Sequence, residues 1–191
     1  MRTAIRSIFF GAFLLISGFS LNAQEPHWIK WEEGEKLEWK DFKARAKANS
    51  SFKALTASGF LYEMEQTSRT EVKVRIYSYF DGKQSWVDRS ELNGKLLAHE
   101  QLHFDITEVY TRKFRQAVQE KNYNTVDQLV ETLSKLFKEM NDQVNKQHDF
   151  YDKETGHSIN EAEQEKWESK VAKELKVHEH YSKEDFEIIL K

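Results

Sequence analysis

His99-Glu100-Gln101-Leu102-His103 sets two imidazoles four residues apart, with a carboxylate beside the first. On an α-helix that spacing puts both histidines on one face, one turn apart, where they can share one Zn²⁺. Glu100 then stands where it can hold and deprotonate a water bound to the metal. The chemistry this implies is metal-assisted hydrolysis, provided the segment is helical, its histidines face inward and a third ligand exists. Cysteine is absent, which excludes disulfides, thiolate zinc sites, a thiol nucleophile and a cysteine-linked lipid anchor. Any metal must therefore be held by His, Asp or Glu.

The element that must position the pair is predicted from about Ser90 to Gln119. Leu92, Leu96, His99, His103, Ile106 and Tyr110 recur at steps of four, three, four, three and four, one stripe of an amphipathic helix. The histidines thus fall on the face to be buried. Leu97, Glu100 and Phe104 form the adjacent row, so Glu100 also lies near the buried side. A buried carboxylate without a partner costs on the order of several kcal/mol, and a metal in a cleft would supply that partner. Asp88 with Glu91, or Ser90 with Asn93, is the expected cap. Gly94 falls inside the predicted helix, where glycine costs roughly 1 kcal/mol relative to alanine, and close approach of another element is the expected reason.

A third ligand has to come from elsewhere, because position 109, six residues after His103, is Val109. A second helix is predicted over about Thr125 to Phe150, with Leu129, Leu133, Phe137, Met140, Val144, His148 and Tyr151 on its inner stripe. Tyr151 to Ser158 is expected to leave that helix in a turn. Antiparallel packing of the two helices would return His157, in that turn, to His99. His157 is the first choice, Glu161 the runner-up, and Asp152 and His148 stand behind them. His27, His178 and His180 have no motif around them. Asp105 and Glu108 suit the orienting of an imidazole, or plain helix-surface pairing. Tyr151 is a candidate oxyanion donor, with a capping core tyrosine as the alternative.

The rest of the chain reads as support. Leu55 to Leu61 and Val72 to Ser78 alternate with period two, joined by Gln66-Thr67-Ser68-Arg69 as a hairpin, and Ser85-Trp86-Val87 follows the turn at Asp81-Gly82-Lys83. Asn160 with Glu163 starts a third helix that turns Trp167, Val171 and Leu175 inward, and Ser182 with Asp185 is expected to cap a last short helix. Trp28, Trp31, Trp39 and Phe42 are expected to cover one end of a core. The fold class is α+β: a small N-terminal antiparallel sheet packed on three long helices, zincin-like, with the histidine pair on the first.

Residues 1–23 carry Arg2 and Arg6, an apolar run from Ile8 to Ile16 and small residues before Ala23, the pattern of a signal peptide cleaved after Ala23 or Ser20. Residues 24–191 are then a single exported domain, periplasmic or secreted, without stable membrane insertion. The net charge of -3 gives nucleic acid no electrostatic footing.

Leu37-Glu38-Trp39-Lys40-Asp41-Phe42, Ala54 to Gly59, Ser85-Trp86-Val87, Leu96 to Ile106, Tyr151 to Ser158, and then Gln164 and Trp167 occur in an order that resembles a largely uncharacterised family of secreted bacterial proteins predicted to be zinc-dependent proteases. The resemblance spans nearly all of residues 24–191 and implies a metallopeptidase-like site and export. Asn160-Glu161-Ala162 is also locally similar to the glutamate-ligand motif of thermolysin-like peptidases. The expected function is an exported zinc metallopeptidase in which His99, His103 and His157 hold Zn²⁺, Glu100 is the general base and a peptide or protein is the substrate. The alternatives are a non-catalytic zinc-binding module of envelope assembly and a metal-dependent cell-wall amidase.

Overall fold

The computed structural model describes residues 28–47 and 50–191. The predicted signal peptide and His27 lie outside the described residues. The first strands are β1 (Trp28–Lys30), β2 (Ala54–Leu55), β3 (Ser58–Gln66), β4 (Glu71–Asp81) and β5 (Trp86–Val87). The helices α1 (Gly94–Gln119), α2 (Val126–Thr155) and α3 (Glu161–Val177) follow, and β6 (Asp185–Ile189) closes the chain. The architecture is α+β, an antiparallel sheet with three helices. No helix among the described residues is long and apolar enough to cross a membrane.

β4 is the centre of the four-stranded sheet. β3 pairs with it from Ser58↔Phe80 to Gln66↔Val72. On its other edge β1 takes the C-terminal half, Trp28↔Asp81 to Lys30↔Tyr79, and β6 the N-terminal half, Glu71↔Ile189 to Arg75↔Asp185. Val72, Val74, Ile76, Ser78 and Phe80 alternate inward along β4, as a pleated strand with one covered face requires. β2 and β5 form a separate two-stranded ladder, and the predicted Leu55–Leu61 strand is broken at Thr56 and Ala57, where the chain passes from that ladder to the main sheet.

α1 lies between layers. It meets β2, β3 and β4 on one side and α2 and α3 on the other. Sixteen of its 26 residues are buried, so it is a central helix and not one with a single buried stripe. A main core joins Phe60, Val74 and Ile76 to Ile106, Leu129, Leu133 and Trp167. A smaller one joins Phe42, Phe80, Val87, Leu96 and Phe104, with Trp31 and Trp39 packed against it, as expected of the N-terminal aromatics.

Several local readings are corrected. The predicted last short helix is strand β6, because Phe186 and Ile188 fill the free edge of β4 opposite Val74 and Val72 and satisfy backbone groups left open there. α1 begins at Gly94, not Ser90: Asn93 is the cap, accepting from Leu96 N at 2.9 Å, and Leu92 lies outside the helix and is exposed. Gly94 is therefore a first-turn residue, and a methyl group in place of its hydrogen would meet nothing within 4 Å, so neither the interior penalty nor a close neighbour applies. α2 runs past Phe150 to Thr155 and stops at Gly156, whose φ of 56° is the left-handed conformation that ends helices. Tyr151 and Asp152 are consequently helical. Asn160 caps α3, accepting from Glu163 N at 3.3 Å as its sequence suggests.

Candidate metal centre

α1 and α2 run antiparallel: His99 and His103 meet Asp152, Thr107 meets His148, and Tyr110 meets Gln147. This register brings the last turn of α2 over the first turns of α1. Both imidazoles point Nε2 at one atom, with Asp152 Oδ1 3.1 Å from His99 and 3.0 Å from His103. The three ligand atoms all lie within 4.8 Å of one another. Donors about 2.1 Å from one tetrahedral ion stand about 3.4 Å apart, close to this spacing. Burial works against the charged form of Asp152, but the two histidines outweigh it and hold the carboxyl well below the usual range. Burial likewise opposes charge on His103, and Asp152 with Glu100 outweighs it, raising that imidazole above its ordinary value.

The tautomer of His99 follows from its surroundings. Gln164 gives its Nε2–H to the Glu168 carboxylate at 3.0 Å and receives the Tyr151 hydroxyl on Oε1 at 2.7 Å. Gln164 Oε1 is thus an acceptor, and it faces His99 Nδ1 at 3.3 Å. His99 carries its proton on Nδ1, and Nε2 presents a lone pair to Asp152, itself an acceptor. Lone pairs held face to face need a cation between them, either a proton or a metal ion.

Glu100 is buried, 3% exposed, and its Oε2 has no hydrogen-bond partner among the described residues. Burial pushes its carboxyl up, and the charges of His103 and His99 pull only partly against that. Such an orphaned oxygen is costly, about 1–3 kcal/mol, unless something from outside completes it. The donor chemistry and this open acceptor together fit a divalent cation with a water beside it.

The other sequence candidates are placed as follows. His157 follows Gly156 with a φ of 55° and lies 3.5 Å from Asp152 Oδ1 through Nδ1, its side chain half exposed and its ring edge-on to Phe52. It borders the three-donor group without being part of it. Glu161 pairs at the surface with Lys95. Tyr151 is fully buried; its ring stacks on His99 at 4.5 Å, and its hydroxyl goes to Gln164 and to the His99 carbonyl. Asp105 accepts from Trp31 and Gln101, and Glu108 binds Arg112 and Arg115, so neither orients a histidine. His148 contacts His103, Nδ1 to Nδ1, at 3.0 Å, and burial, then charge on His103, lowers it to about 3. His178 bonds the Glu174 carbonyl in α3.

Asp152 stands behind His157 on sequence grounds because a helix ending at Phe150 leaves it in a turn. Its one legible signal is the four-residue step from His148, which a longer α2 turns into a shared face. A groove of about 690 Å³ runs between residues 31–37 and α3, but none of the three donors lines it. Residues 78–158 match a family described as "Bacterial protein of unknown function (DUF922)". That span holds both histidines, Glu100, His148, Asp152 and His157 and stops short of Gln164. No curated protein and no solved structure matches the chain.

Proposed function

We propose that the protein is a zinc-dependent hydrolase of peptide bonds, with a zincin-like arrangement in which His99, His103 and Asp152 hold the ion. The observation that supports this most is the convergence of two imidazole nitrogens on one carboxylate oxygen, beside a buried Glu100 with an unclaimed Oε2. Bound there, zinc would polarise a substrate carbonyl and make a neighbouring water more acidic. Glu100 Oε2 takes the proton of that water as its oxygen attacks the carbonyl carbon. The carbon–nitrogen bond breaks, and Glu100 returns the proton to the leaving amine. Its raised proton affinity suits both halves of that transfer. Tyr151 acts through His99, since its hydroxyl is spent on Gln164 and the His99 carbonyl. Residues 1–23 support export to the periplasm or beyond.

A second reading has its own support. His99 and Glu100 are almost wholly enclosed, and the site opens mainly past Asp152, whose side chain is 27% exposed. Such enclosure suits a non-catalytic zinc-binding module of envelope assembly as well as an enzyme. Glu100 favours the enzyme, because a structural zinc site does not need an uncoordinated carboxylate at its centre. Elemental analysis of the purified protein tests both readings: about one zinc per chain is expected, lost in Asp152→Ala. Chains without metal would end the proposal. Cleavage of casein with no release from peptidoglycan is the result expected of a peptidase, and the reverse would make the enzyme a cell-wall amidase.

A further inference from the structure

The proton positions behind His103 can be traced from a group that has no proton to give. The His103 carbonyl oxygen lies 3.0 Å from Thr107 Oγ1, so the Thr107 hydroxyl donates to it. That commits the single proton of Thr107. Ser58 Oγ, 2.7 Å from Thr107 Oγ1, must then be a donor, and so must His148 Nε2 at 3.4 Å. Among the described residues no hydrogen-bond partner of His148 is a carboxylate, so no anion in hydrogen-bond contact balances a second proton on its ring. Its Nδ1 is therefore bare, and it faces His103 Nδ1 at 3.0 Å. The only complementary arrangement has His103 donating from Nδ1, which leaves Nε2, 3.0 Å from Asp152 Oδ1, as the nitrogen that can meet a cation.

We propose that His148 is a positioning residue of the metal centre: its bare Nδ1, oriented by Thr107 and Ser58, fixes His103 as the tautomer whose Nε2 is free to ligate. This rests on the metal reading above and goes beyond it. His148 and Asp152 lie one turn apart on α2, so one helix face supplies a ligand and the group that orients another ligand. The arrangement has an electrostatic consequence. Metal-bound histidines commonly donate to a carboxylate, which adds negative charge behind the ligand. Here His103 donates to a neutral imidazole and His99 to the neutral amide of Gln164. Asp152 and Glu100 would then be the anions beside a bound ion, leaving more of its positive charge to act on a substrate carbonyl.

The test is zinc affinity by competition with a chromophoric chelator, together with long-range ¹H–¹⁵N NMR of the histidines. His148→Leu removes the acceptor and is expected to weaken zinc binding about 10- to 100-fold. His148→Gln can offer an amide oxygen to His103 Nδ1–H and is expected to recover most of that loss. In the wild-type protein, with or without zinc, the His148 ring is expected to be neutral with its proton on Nε2. Unchanged affinity in a folded His148→Leu, equal losses in the Leu and Gln variants, or a His148 proton on Nδ1 would each overturn the proposal. Should His148→Leu fail to fold, the wild-type spectrum decides. Absence of zinc binding in the wild type would overturn the metal reading instead, and the tautomer of His148 would still be readable in the metal-free protein.

Discussion

α1 carries two buried polar clusters, eight residues and about 12 Å apart, that the fold treats in opposite ways. In the second, Glu108 Oε1 receives Arg112 Nε at 3.0 Å and Arg115 Nη1 at 2.9 Å, and Oε2 receives Ser78 at 2.6 Å. Arg115 continues to the carbonyls of Ile76, Tyr181 and Ser182, and Arg112 to that of Leu175. The Glu108 carboxylate is met on both oxygens, and the guanidiniums reach carbonyls in the sheet, in α3 and in the approach to β6. In the first cluster two imidazole Nε2 atoms converge on one carboxylate oxygen, and Glu100 Oε2 is left open. The two glutamates are equally deep, Glu100 at 3% and Glu108 at 2% exposure, so burial of the carboxylate is not what separates the clusters. A cluster that the chain completes holds the fold; one left short of donors asks for something from outside.

Glu100→Gln probes that contrast most severely. Hydrolysis should fall by about 10²- to 10⁴-fold while the protein keeps its zinc and its fold, because only the proton acceptor is lost. Peptide-cleavage rates beside metal content measure this, and full activity in the variant would remove Glu100 as the base. Glu108→Gln should do the opposite. Two buried guanidiniums lose their counter-charge, which costs about 3–5 kcal/mol in urea unfolding, while zinc per folded chain stays constant. A loss of zinc without a loss of stability would mean that the two clusters had been assigned the wrong way round.

Acidification separates the two through protons. His103 is raised by Asp152 and Glu100 against burial, and zinc must displace that proton. Zinc affinity is therefore expected to fall as pH drops through the raised value. In the metal-free protein the sign reverses: the contribution of His103 to stability is full below its unfolded value and lost as pH rises through its folded one. His148 is depressed to about 3, so its contribution is present above the unfolded value near 6.5 and is lost as pH falls toward 3. Thermal melts with and without zinc across that range should show the gap between them widening as pH rises, and a constant gap would count against His103 as a ligand. The smallest expected effect is that of His157→Ala. A half-exposed pair at 3.5 Å is worth about 0.2–1 kcal/mol, so zinc affinity should change less than about fivefold. A larger loss in the same chelator competition would make His157 a ligand after all.

Much of the candidate site can be read in one dimension. The stripe through Leu96, His99, His103 and Ile106 places the histidines facing inward, and the adjacent row places Glu100 beside them. The Asn160 cap and the β3–β4 hairpin are equally legible, since both depend on residues close in the chain. The start of α1 is not, because Asp88 and Ser90 offer capping oxygens too, yet satisfy each other in the turn before it. The end of α2 is hidden because Tyr151-Asp152-Lys153-Glu154-Thr155 has no strong helix breaker before Gly156 and reads as polar as a loop. β6 is hidden because a five-residue apolar alternation gains its stability from the edge of β4, about 110 residues away in sequence, as the Arg75–Asp185 pair records.

By itself the sequence determined that two imidazoles and a carboxylate share one region of a helix. That is a local matter, fixed by 3.6 residues per turn. Only the tertiary structure decided that both imidazoles converge on an oxygen of Asp152, with His157 at its border, that Gln164 holds one imidazole and His148 the other, and that Glu108 is consumed by two arginines. Those choices depend on the antiparallel register of α2 on α1 and on the packing of α3 against both. Helical periodicity fixes which side chains share a face; which partner meets that face depends on packing between segments some 50 residues apart.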